Sequence, residues 1–258
     1  MSVQEWPAQD YAIGSYIQES IAKEYLKYLK IKPTDSVLDV GCGNGAFSRN
    51  ILAKIPQGHF LGIDASANML AIARQETANY PNVTLQQADA LTLPFTNQFD
   101  YVVSFWCLQW CAFAIEKAFL NIYKALKNNG KVLALFPSGD DPFITSYYRV
   151  QECGQFSCLK DFKPPVDYHY FQNLEEKIHA LPFKHIKFER LQHEILLPSL
   201  DTFRKFVKGI AFFQGQIPDK DIDLINEALV DTYKRECQEK FAGEYWFILS
   251  IYLMQAEK

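Results

Sequence analysis

The sequence has few of the features that mark secreted, membrane or metal-binding proteins. Its six cysteines form no CxxC pair, so we expect reduced structural thiols rather than disulfides or a zinc site. Its five histidines show no HxxxH spacing, and we expect no bound metal. No stretch of about 18 apolar residues is free of charge, and no basic segment precedes an apolar run at the N-terminus, which predicts a cytoplasmic protein.

Basic charge is also scarce. The chain has 26 Lys and Arg against 30 Asp and Glu, for a net charge of −4, so no overall positive field would attract nucleic acid or an anionic membrane. Hydrophobic residues make up 48% and aromatic residues 15% of the 258 positions, enough for a large core and for pockets lined by rings. We expect a partner that is a small molecule or a protein, and the sequence leaves open whether the chain is a monomer or a dimer.

Short apolar runs alternate with helical patterns in the first half of the chain. Strands are predicted at residues 36–40, 58–64, 83–88, 99–105 and 131–136. Helices are predicted at residues 17–29, 47–54, 67–80 and 115–127, the last ending in a left-handed cap at residues 128–130. Strands separated by helices of this length form right-handed βαβ units, so we expect a mostly parallel, doubly wound α/β sheet.

The regular alternation stops after residue 136. Two later runs, at residues 184–197 and 244–255, predict strands that pair antiparallel at one edge of the sheet and bring it to seven strands. Proline and glycine interrupt the segments at about 138–182 and 199–241, where we expect helical cap insertions. Nothing resembling a linker divides the chain, which predicts a single domain over residues 1–258.

A glycine-rich turn follows the first predicted strand. Asp39 closes that strand, and Gly41, Gly43 and Gly45 follow at steps of two residues. Glycine permits a positive φ and a close approach of the backbone to a ligand, and a carboxylate at a strand tip can accept a hydrogen bond from an ammonium group or a water. The spacing differs from the GxGxxG of dinucleotide binders and from the GxxxxGK[ST] of phosphate loops.

Two further acids close the second and third predicted strands. Asp64 lies 19 positions after Gly45, where an acid can bind the two hydroxyls of a ribose. Asp89, followed by Ala90, can accept from an exocyclic adenine amine. Because the carboxyl ends of parallel strands meet at one edge of a sheet, these acids and the glycine turn predict one nucleoside site.

The segments VLDVGCGNGAFS, GIDAS, QADALTLPF and FDYVVSFWCLQW resemble the successive motifs of class I S-adenosylmethionine-dependent methyltransferases. The resemblance covers about residues 11–137 and implies a Rossmann-like methyltransferase fold, with S-adenosylmethionine as cofactor. In that family the glycine turn carries the methionine moiety, the acid after the second strand holds the ribose, and the acid after the third contacts adenine. By resemblance these are Gly41, Gly43 and Gly45 with Asp39, then Asp64 with Ala65, then Asp89 with Ala90.

The resemblance also implies cofactor contacts from the first helix and from the end of the fourth strand. Gln18, near the start of the first helix, is expected on the cofactor carboxylate. Ser104 and Trp106, at the end of the fourth strand, complete the expected cofactor site. A solvated glutamine and a tryptophan packed in the core are the structural alternatives.

Three residues are candidates for positioning the substrate. Tyr11 could close over the bound cofactor, and Trp110 follows the fourth strand at the edge where open α/β sheets bind ligands. Arg149, in the first cap insertion, could hold a substrate carboxylate through two hydrogen bonds. Its alternative is an ordinary surface arginine.

A narrower likeness concerns the methyl acceptor. LQWC at residues 108–111, together with Tyr11 and Gln18, resembles the group of malonyl carrier-protein, trans-aconitate and juvenile hormone acid carboxyl methyltransferases. This implies transfer to a carboxylate oxygen of a small acid or an acyl-carrier thioester, and an ionised carboxylate needs no base to react. The sequence leaves open a phenol, amine or carbon acceptor, and a non-catalytic cofactor-binding protein of the same fold.

Overall fold

The structure of the chain, a computed structural model, describes residues 15–258, which include one seven-stranded sheet. The strands are β1 Ser36–Val40, β2 His59–Asp64, β3 Val83–Gln87, β4 Phe99–Phe105, β5 Leu126–Pro137, β6 Lys184–Leu196 and β7 Trp246–Glu257. The helices are α1 Tyr16–Tyr25, α2 Arg49–Leu52, α3 Ala67–Glu76, α4 Ile115–Ala125, α5 Pro142–Glu152, α6 Leu174–His179, α7 Leu200–Gly209 and α8 Asp219–Phe241. Short 3-10 helices lie at Leu26–Tyr28, Ala90–Thr92, Leu108–Ala114, Ser157–Leu159 and Tyr168–Phe171.

The strand order across the sheet is β3-β2-β1-β4-β5-β7-β6. The first five strands pair in parallel, and β7 runs antiparallel to both β5 and β6. The predicted doubly wound α/β sheet with an antiparallel edge pair is therefore confirmed, with β7 lying between β5 and the edge strand β6. The order reverses between β1 and β4, which is where open α/β sheets bind ligands, at the carboxyl ends of the strands.

The central strands are apolar on both faces because helices cover both. Val37 of β1 lies in one hydrophobic cluster with residues of α1, α5, α7 and α8. Leu38 and Val40 of the same strand lie in a second cluster, with residues of α4 and α6. Successive side chains of a strand point to opposite faces, so a strand buried on both sides is apolar at positions facing either side, as β1 is at Val37, Leu38 and Val40.

The predicted helix cap at residues 128–130 is wrong. Helix α4 ends at Ala125, and the next residue, Leu126, already belongs to β5. The pairing register between β4 and β5 shifts here, and Asn129 has a φ of 61° within the strand. The N–H of Lys258 donates to Gly130 O at 2.9 Å, and Lys258 O accepts from Asn129 N at 3.1 Å. The left-handed Asn129 therefore lies in a strand irregularity that pairs with the distant Lys258, and not at a helix end.

Helices occupy the two segments that follow the parallel strands. The first segment contains α5 and α6, and the second contains α7 and α8. Helix α8 packs against α5 and α7, and the rings of Phe203 and Tyr233 stack with centroids 4.0 Å apart between α7 and α8. Helices α5, α7 and α8 form the hydrophobic cover over one face of the sheet, whereas α6 packs in the cluster on the other face.

Candidate functional site

The glycine turn connects β1 to α2 with a left-handed backbone. Gly41, Gly43 and Gly45 have φ values of 79°, 56° and 78°. A Cβ at Gly41 would collide with the Cys107 side chain, and a Cβ at Gly45 would meet the Ala73 backbone at 3.0 Å. A Cβ at Gly43 would meet nothing within 4 Å. Two of the glycines therefore allow close packing, whereas Gly43 borders open space in which a ligand can lie.

Asp64 fixes the shape of this turn. Its Oδ2 accepts a hydrogen bond from Gly43 N at 2.9 Å, and its Oδ1 accepts from Ser66 N at 2.9 Å. Ser66 in turn caps α3, with Oγ accepting from Met69 N at 3.3 Å. The acid predicted to bind a ribose therefore also links the ends of β1 and β2, a second role that its position in the sequence did not reveal.

Asp39 is a buried carboxylate beneath the turn, 3% exposed. Burial raises its pKa to about 7, the nearby Asp64 adds to this, and a hydrogen bond from Ser48 Oγ at 2.9 Å opposes it. Such a group is only partly ionised at neutral pH when the site is empty of cations. A positively charged ligand beside it would favour the ionised form and would be attracted in return.

A cleft of about 780 Å³ lies at the carboxyl ends of the parallel strands. The predicted site residues that line it are Gly41, Gly43, Asp64, Ala65, Asp89, Ala90, Trp106 and Trp110. Lining residues that sequence reasoning missed include Met69, Leu91, Phe105, Cys107, Cys111 and Phe113, with Pro164, Pro165, Gln214 and Gln216 from the cap segments. The structure thus brings most predicted residues into one site and adds a wall from the caps.

Two other predicted cofactor residues lie beside this cleft. Gln18 and Asp39 line a smaller compartment around the glycine turn, together with Gly41 and Gly43, which also line the cleft. Across the cleft, Asp89 is exposed, and its Oδ1 accepts from Leu91 N at 2.8 Å to begin a 3-10 helix. Acidic acceptors therefore lie at both ends of the site.

A narrower inner pocket adjoins the cleft at Trp106 and Trp110, which line both spaces. Its cavity volume is about 60 Å³. Trp106 has a φ of 59°, rare for a bulky residue and typical of functional sites where surrounding contacts hold the strain. Its indole Nε1 donates to Gln18 O at 2.9 Å, which attaches α1 to the end of β4 at the junction of the two spaces.

The inner pocket is largely apolar. Its polar side chains other than the two tryptophans are Gln18, Gln109, Asp141 and Tyr168, and no lysine, arginine or histidine within residues 15–258 lines it. Gln109 Nε2 donates to Trp106 O at 2.9 Å, while its buried Oε1 has no hydrogen-bond partner among the described residues. Asp141 and Tyr168 were missed from the sequence, whereas Gln109 belongs to the LQWC segment at the end of β4, where a pocket is expected from the sequence.

Three of the described predicted site residues line neither the cleft nor the smaller compartment: Gly45, which packs against Ala73, and Ser104 and Arg149. Ser104 is fully buried and donates through Oγ to Val40 O at 2.8 Å, so it joins β4 to β1 and does not line the cleft. Because successive side chains of β4 point to alternate faces, the Ser104 hydroxyl lies against the neighbouring strand β1. Arg149 lies on α5, with its Nη1 3.3 Å from Glu236 Oε2, and lines a separate groove between α5 and α8. That location separates it from the inner pocket, and Tyr11 lies outside the described residues.

Within residues 15–258, no group of three or more His, Cys, Asp or Glu side chains is arranged to hold a metal ion. No helix in that range is both long and apolar enough to cross a bilayer.

Comparison with known proteins shows that the chain is similar to methyltransferases. Residues 37–130 match the family described as the methyltransferase domain. The chain is 31% identical to the demethylmenaquinone methyltransferase of Symbiobacterium thermophilum, over 64% of this chain and 65% of that protein. It is 30% identical to the malonyl-[acyl-carrier protein] O-methyltransferase of Legionella pneumophila, over 63% of this chain and 56% of that protein.

The chain spans less than two thirds of the length of these two relatives. Among solved structures, the YcgJ protein of Bacillus subtilis is similar at 18% identity, with a TM-score of 0.61 and coverage of 94% of this chain and 98% of that one. The matched segment contains the glycine turn and the three strand-end acids. The chain therefore has the Rossmann-like methyltransferase fold, and residues 37–130 match the methyltransferase domain.

Proposed function

We propose that the chain is an S-adenosylmethionine-dependent methyltransferase that modifies a small, largely apolar acceptor bound in the inner pocket. The observation that carries this proposal is the cleft in which the glycine turn, Asp64 and Asp89 meet, with Asp39 in the adjoining compartment. The match to the methyltransferase domain over residues 37–130 supports it.

The residues of the cleft fit the chemical groups of S-adenosylmethionine. Gly43 borders open space, so backbone groups of the turn are accessible to the amino-acid end of the cofactor. Asp39 suits a ligand that carries positive charge, because its buried carboxylate lacks a cationic partner among the residues that shift its pKa. Asp64 and Asp89 supply acceptors for hydroxyl and amine groups. The volume of about 780 Å³ falls within the range of small-molecule sites.

The protein would contribute mainly position and a dry environment. When bound, S-adenosylmethionine supplies a methyl group that its sulfonium has already activated. Trp106 and Trp110 stand at the junction of the cleft and the inner pocket, where they can align an acceptor atom with that methyl group. Alignment of two reactants can supply up to about 7–11 kcal/mol of the barrier reduction.

Two kinds of atom are candidates for the methyl acceptor. A carboxylate oxygen is favoured by the neutral amides of Gln18 and Gln109 in the pocket, which could orient an acid without lowering its nucleophilicity, and by the likeness to a malonyl carrier-protein O-methyltransferase. A protonated atom, such as a hydroxyl oxygen, is favoured by the lack of any lysine, arginine or histidine in the described lining. The names of the two relatives indicate different acceptors, so the choice between the two acceptor atoms depends on the residues that line the pocket.

Calorimetric titration with S-adenosylmethionine and with NAD tests the cofactor. We expect binding of S-adenosylmethionine only, and binding of NAD alone would refute the proposal. Release of S-adenosylhomocysteine is then followed for a panel of para-alkyl phenols and the benzoates of matched alkyl length. Methyl transfer to any of them supports an enzyme, whereas cofactor binding without transfer across a broad panel of acids, hydroxyls and amines would indicate a non-catalytic binding protein.

A further inference from the structure

Asp141 stands at the start of α5, a short loop after β5, and lines the inner pocket. Resting on the proposed function, we propose that Asp141 is the catalytic proton acceptor for methyl transfer to a hydroxyl oxygen of an apolar acceptor. This assigns a hydroxyl compound rather than a carboxylate to the pocket. The sequence resemblance pointed to no residue of this segment.

The two oxygens of Asp141 have different surroundings. Oδ1 accepts both hydrogen bonds that cap the helix, from Phe143 N at 2.9 Å and from Ile144 N at 3.2 Å. No described residue donates to Oδ2. One oxygen is therefore sufficient for the cap, and the second is available to a bound molecule.

A second acceptor in the same pocket also lacks a donor. Gln109 is oriented by its Nε2, which donates to Trp106 O, and this leaves the buried Oε1 without a partner among the described residues. Buried acceptors without donors are uncommon in folded proteins and call for a ligand or a water. The lining therefore suits a ligand that brings a hydrogen-bond donor, which a hydroxyl does and a carboxylate does not.

The surroundings of Asp141 favour its action as a base. Burial raises its pKa to about 6; the N–H groups of Ile144 and Phe143 oppose this shift, and the neighbouring Asp140 adds to it. Tyr168 also faces Asp141, and burial holds the pKa of that phenol well above its usual value. A carboxylate with such a pKa is mostly ionised at pH 7 and is a stronger base than an ordinary aspartate.

Among the described residues, no lysine, arginine or histidine lines the pocket to offset the charge of Asp141. Arg190 is bound to the neighbouring Asp140, with Nη2 at 2.9 Å from Oδ2. Asp140 also accepts from Ser250 N at 2.7 Å. An anionic acceptor would therefore meet an uncompensated carboxylate in an apolar pocket, which like-charge repulsion disfavours.

In the proposed step the acceptor oxygen forms a bond to the methyl carbon while its proton passes to Oδ2 of Asp141. The bond between that carbon and sulfur breaks, and its electron pair stays on sulfur, which becomes a neutral thioether. Asp141 later releases the proton to solvent. The products are a methyl ether, S-adenosylhomocysteine and one proton.

Two variants distinguish the catalytic role of Asp141 from a purely structural role as helix cap. Asp141→Asn keeps an oxygen that can accept from the same two N–H groups but removes the base, whereas Asp141→Ala removes both. Thermal unfolding and calorimetric affinity for S-adenosylmethionine are measured on each variant, so that a misfolded protein is recognised. We expect Asp141→Asn to bind the cofactor as the natural protein does.

The deciding assay compares 4-methylphenol, a 2,6-difluoro analogue that ionises near neutral pH, and 4-methylbenzoate, with longer para-alkyl homologues of each. We expect transfer to the phenols, a loss of about 10²-fold in kcat on 4-methylphenol in Asp141→Asn, and a much smaller loss on the fluorinated phenol, which needs no base. At saturating S-adenosylmethionine, which removes the effect of Asp39 on cofactor affinity, kcat of the natural protein on 4-methylphenol should fall as the pH drops through about 6, a limb that Asp141→Asn should lack.

Three results would overturn the inference: benzoates methylated while every phenol is inert, Asp141→Asn as active as the natural protein on 4-methylphenol, or a loss only in Asp141→Ala. Bound S-adenosylmethionine without transfer to any hydroxyl compound would overturn it as well. Failure of the proposed function itself would look different, because the natural protein would then not bind S-adenosylmethionine.

Discussion

Replacement of Asp39 by asparagine should stabilise the ligand-free protein while weakening its binding of S-adenosylmethionine. The buried carboxylate has its pKa raised from 3.8 to about 7, so the native state disfavours the ionised form. Asparagine is similar in size, can still accept from Ser48 Oγ, and never ionises. The exchange therefore removes a buried charge and keeps the hydrogen bond.

The magnitude follows from the change in pKa. A shift of about three units at about 1.36 kcal/mol per unit places up to about 4 kcal/mol on the ionised form. Because the pKa is raised in the native state, the natural protein loses this stability as the pH increases from about 4 to about 7. The advantage of Asp39→Asn should therefore grow by about 2–3 kcal/mol between about pH 5 and about pH 8.

Urea unfolding without ligand, at these two pH values, measures the effect. Asp100→Asn is the control of opposite sign. Partial burial raises the pKa of Asp100, but hydrogen bonds from Lys127 and Ser36 outweigh it and hold that pKa below its ordinary value, so its loss should destabilise the protein at both pH values. If Asp39→Asn is no more stable than the natural protein, or if its gain in stability does not change with pH, Asp39 is not a buried carboxylate with a raised pKa.

Binding should change in the other direction. A positively charged ligand attracts the ionised form of Asp39, and asparagine cannot supply that charge. We expect the affinity of Asp39→Asn for S-adenosylmethionine at about pH 8 to fall at least about tenfold, or about 1.4 kcal/mol. Affinity of the natural protein should weaken as the pH falls below about 7, where Asp39 takes up a proton. Unchanged affinity in the variant would place the cation elsewhere.

Three further outcomes are expected. Gly43→Ala and Gly154→Ala should each lose about 1–2 kcal/mol of stability, because both positions have a positive φ, 56° and 66°, and open space at Cβ. Calorimetry should show a loss of cofactor affinity only in Gly43→Ala. Equal affinity in both variants would show that Gly43 does not border the cofactor. Trp106→Phe removes the indole bond to Gln18 O, and isothermal titration should show weaker cofactor binding, whereas unchanged binding would refute a role for this link. Cys153 is exposed, while burial raises the pKa of Cys107 well above its usual value, so a thiol reagent should react first at Cys153, and Cys153→Ser should remove the fast phase of labelling.

Local pattern was sufficient to predict that the glycine turn and the acids after β2 and β3 lie at one edge of the sheet. Positive φ at Gly41, Gly43 and Gly45 is a property of single residues, and the strand-end position of Asp64 and Asp89 follows from strand length. Ser104 shows the limit of this reasoning, because whether a hydroxyl at a strand end faces the cleft or a neighbouring strand depends on the phase of the pleat.

The inner pocket could not be predicted in the same way. Its walls join residues from α1, the end of β4, the start of α5 and the second cap segment, which are separated by dozens of positions in the chain. Asp141 is recognisable from sequence only as a residue before Pro142, a common helix start. Arg149 was a reasonable candidate for a substrate contact until the packing of α5 on α8 placed it beside Glu236.

The sequence by itself determined the doubly wound sheet, the glycine turn and the acids around it, because each depends on periodicity or on the conformational freedom of one residue. The tertiary structure alone decided the insertion of β7 between β5 and β6, the strand irregularity at Asn129 and the pocket that contains Asp141. These features depend on contacts between distant segments, whose free energy of packing and hydrogen bonding outweighs local preference.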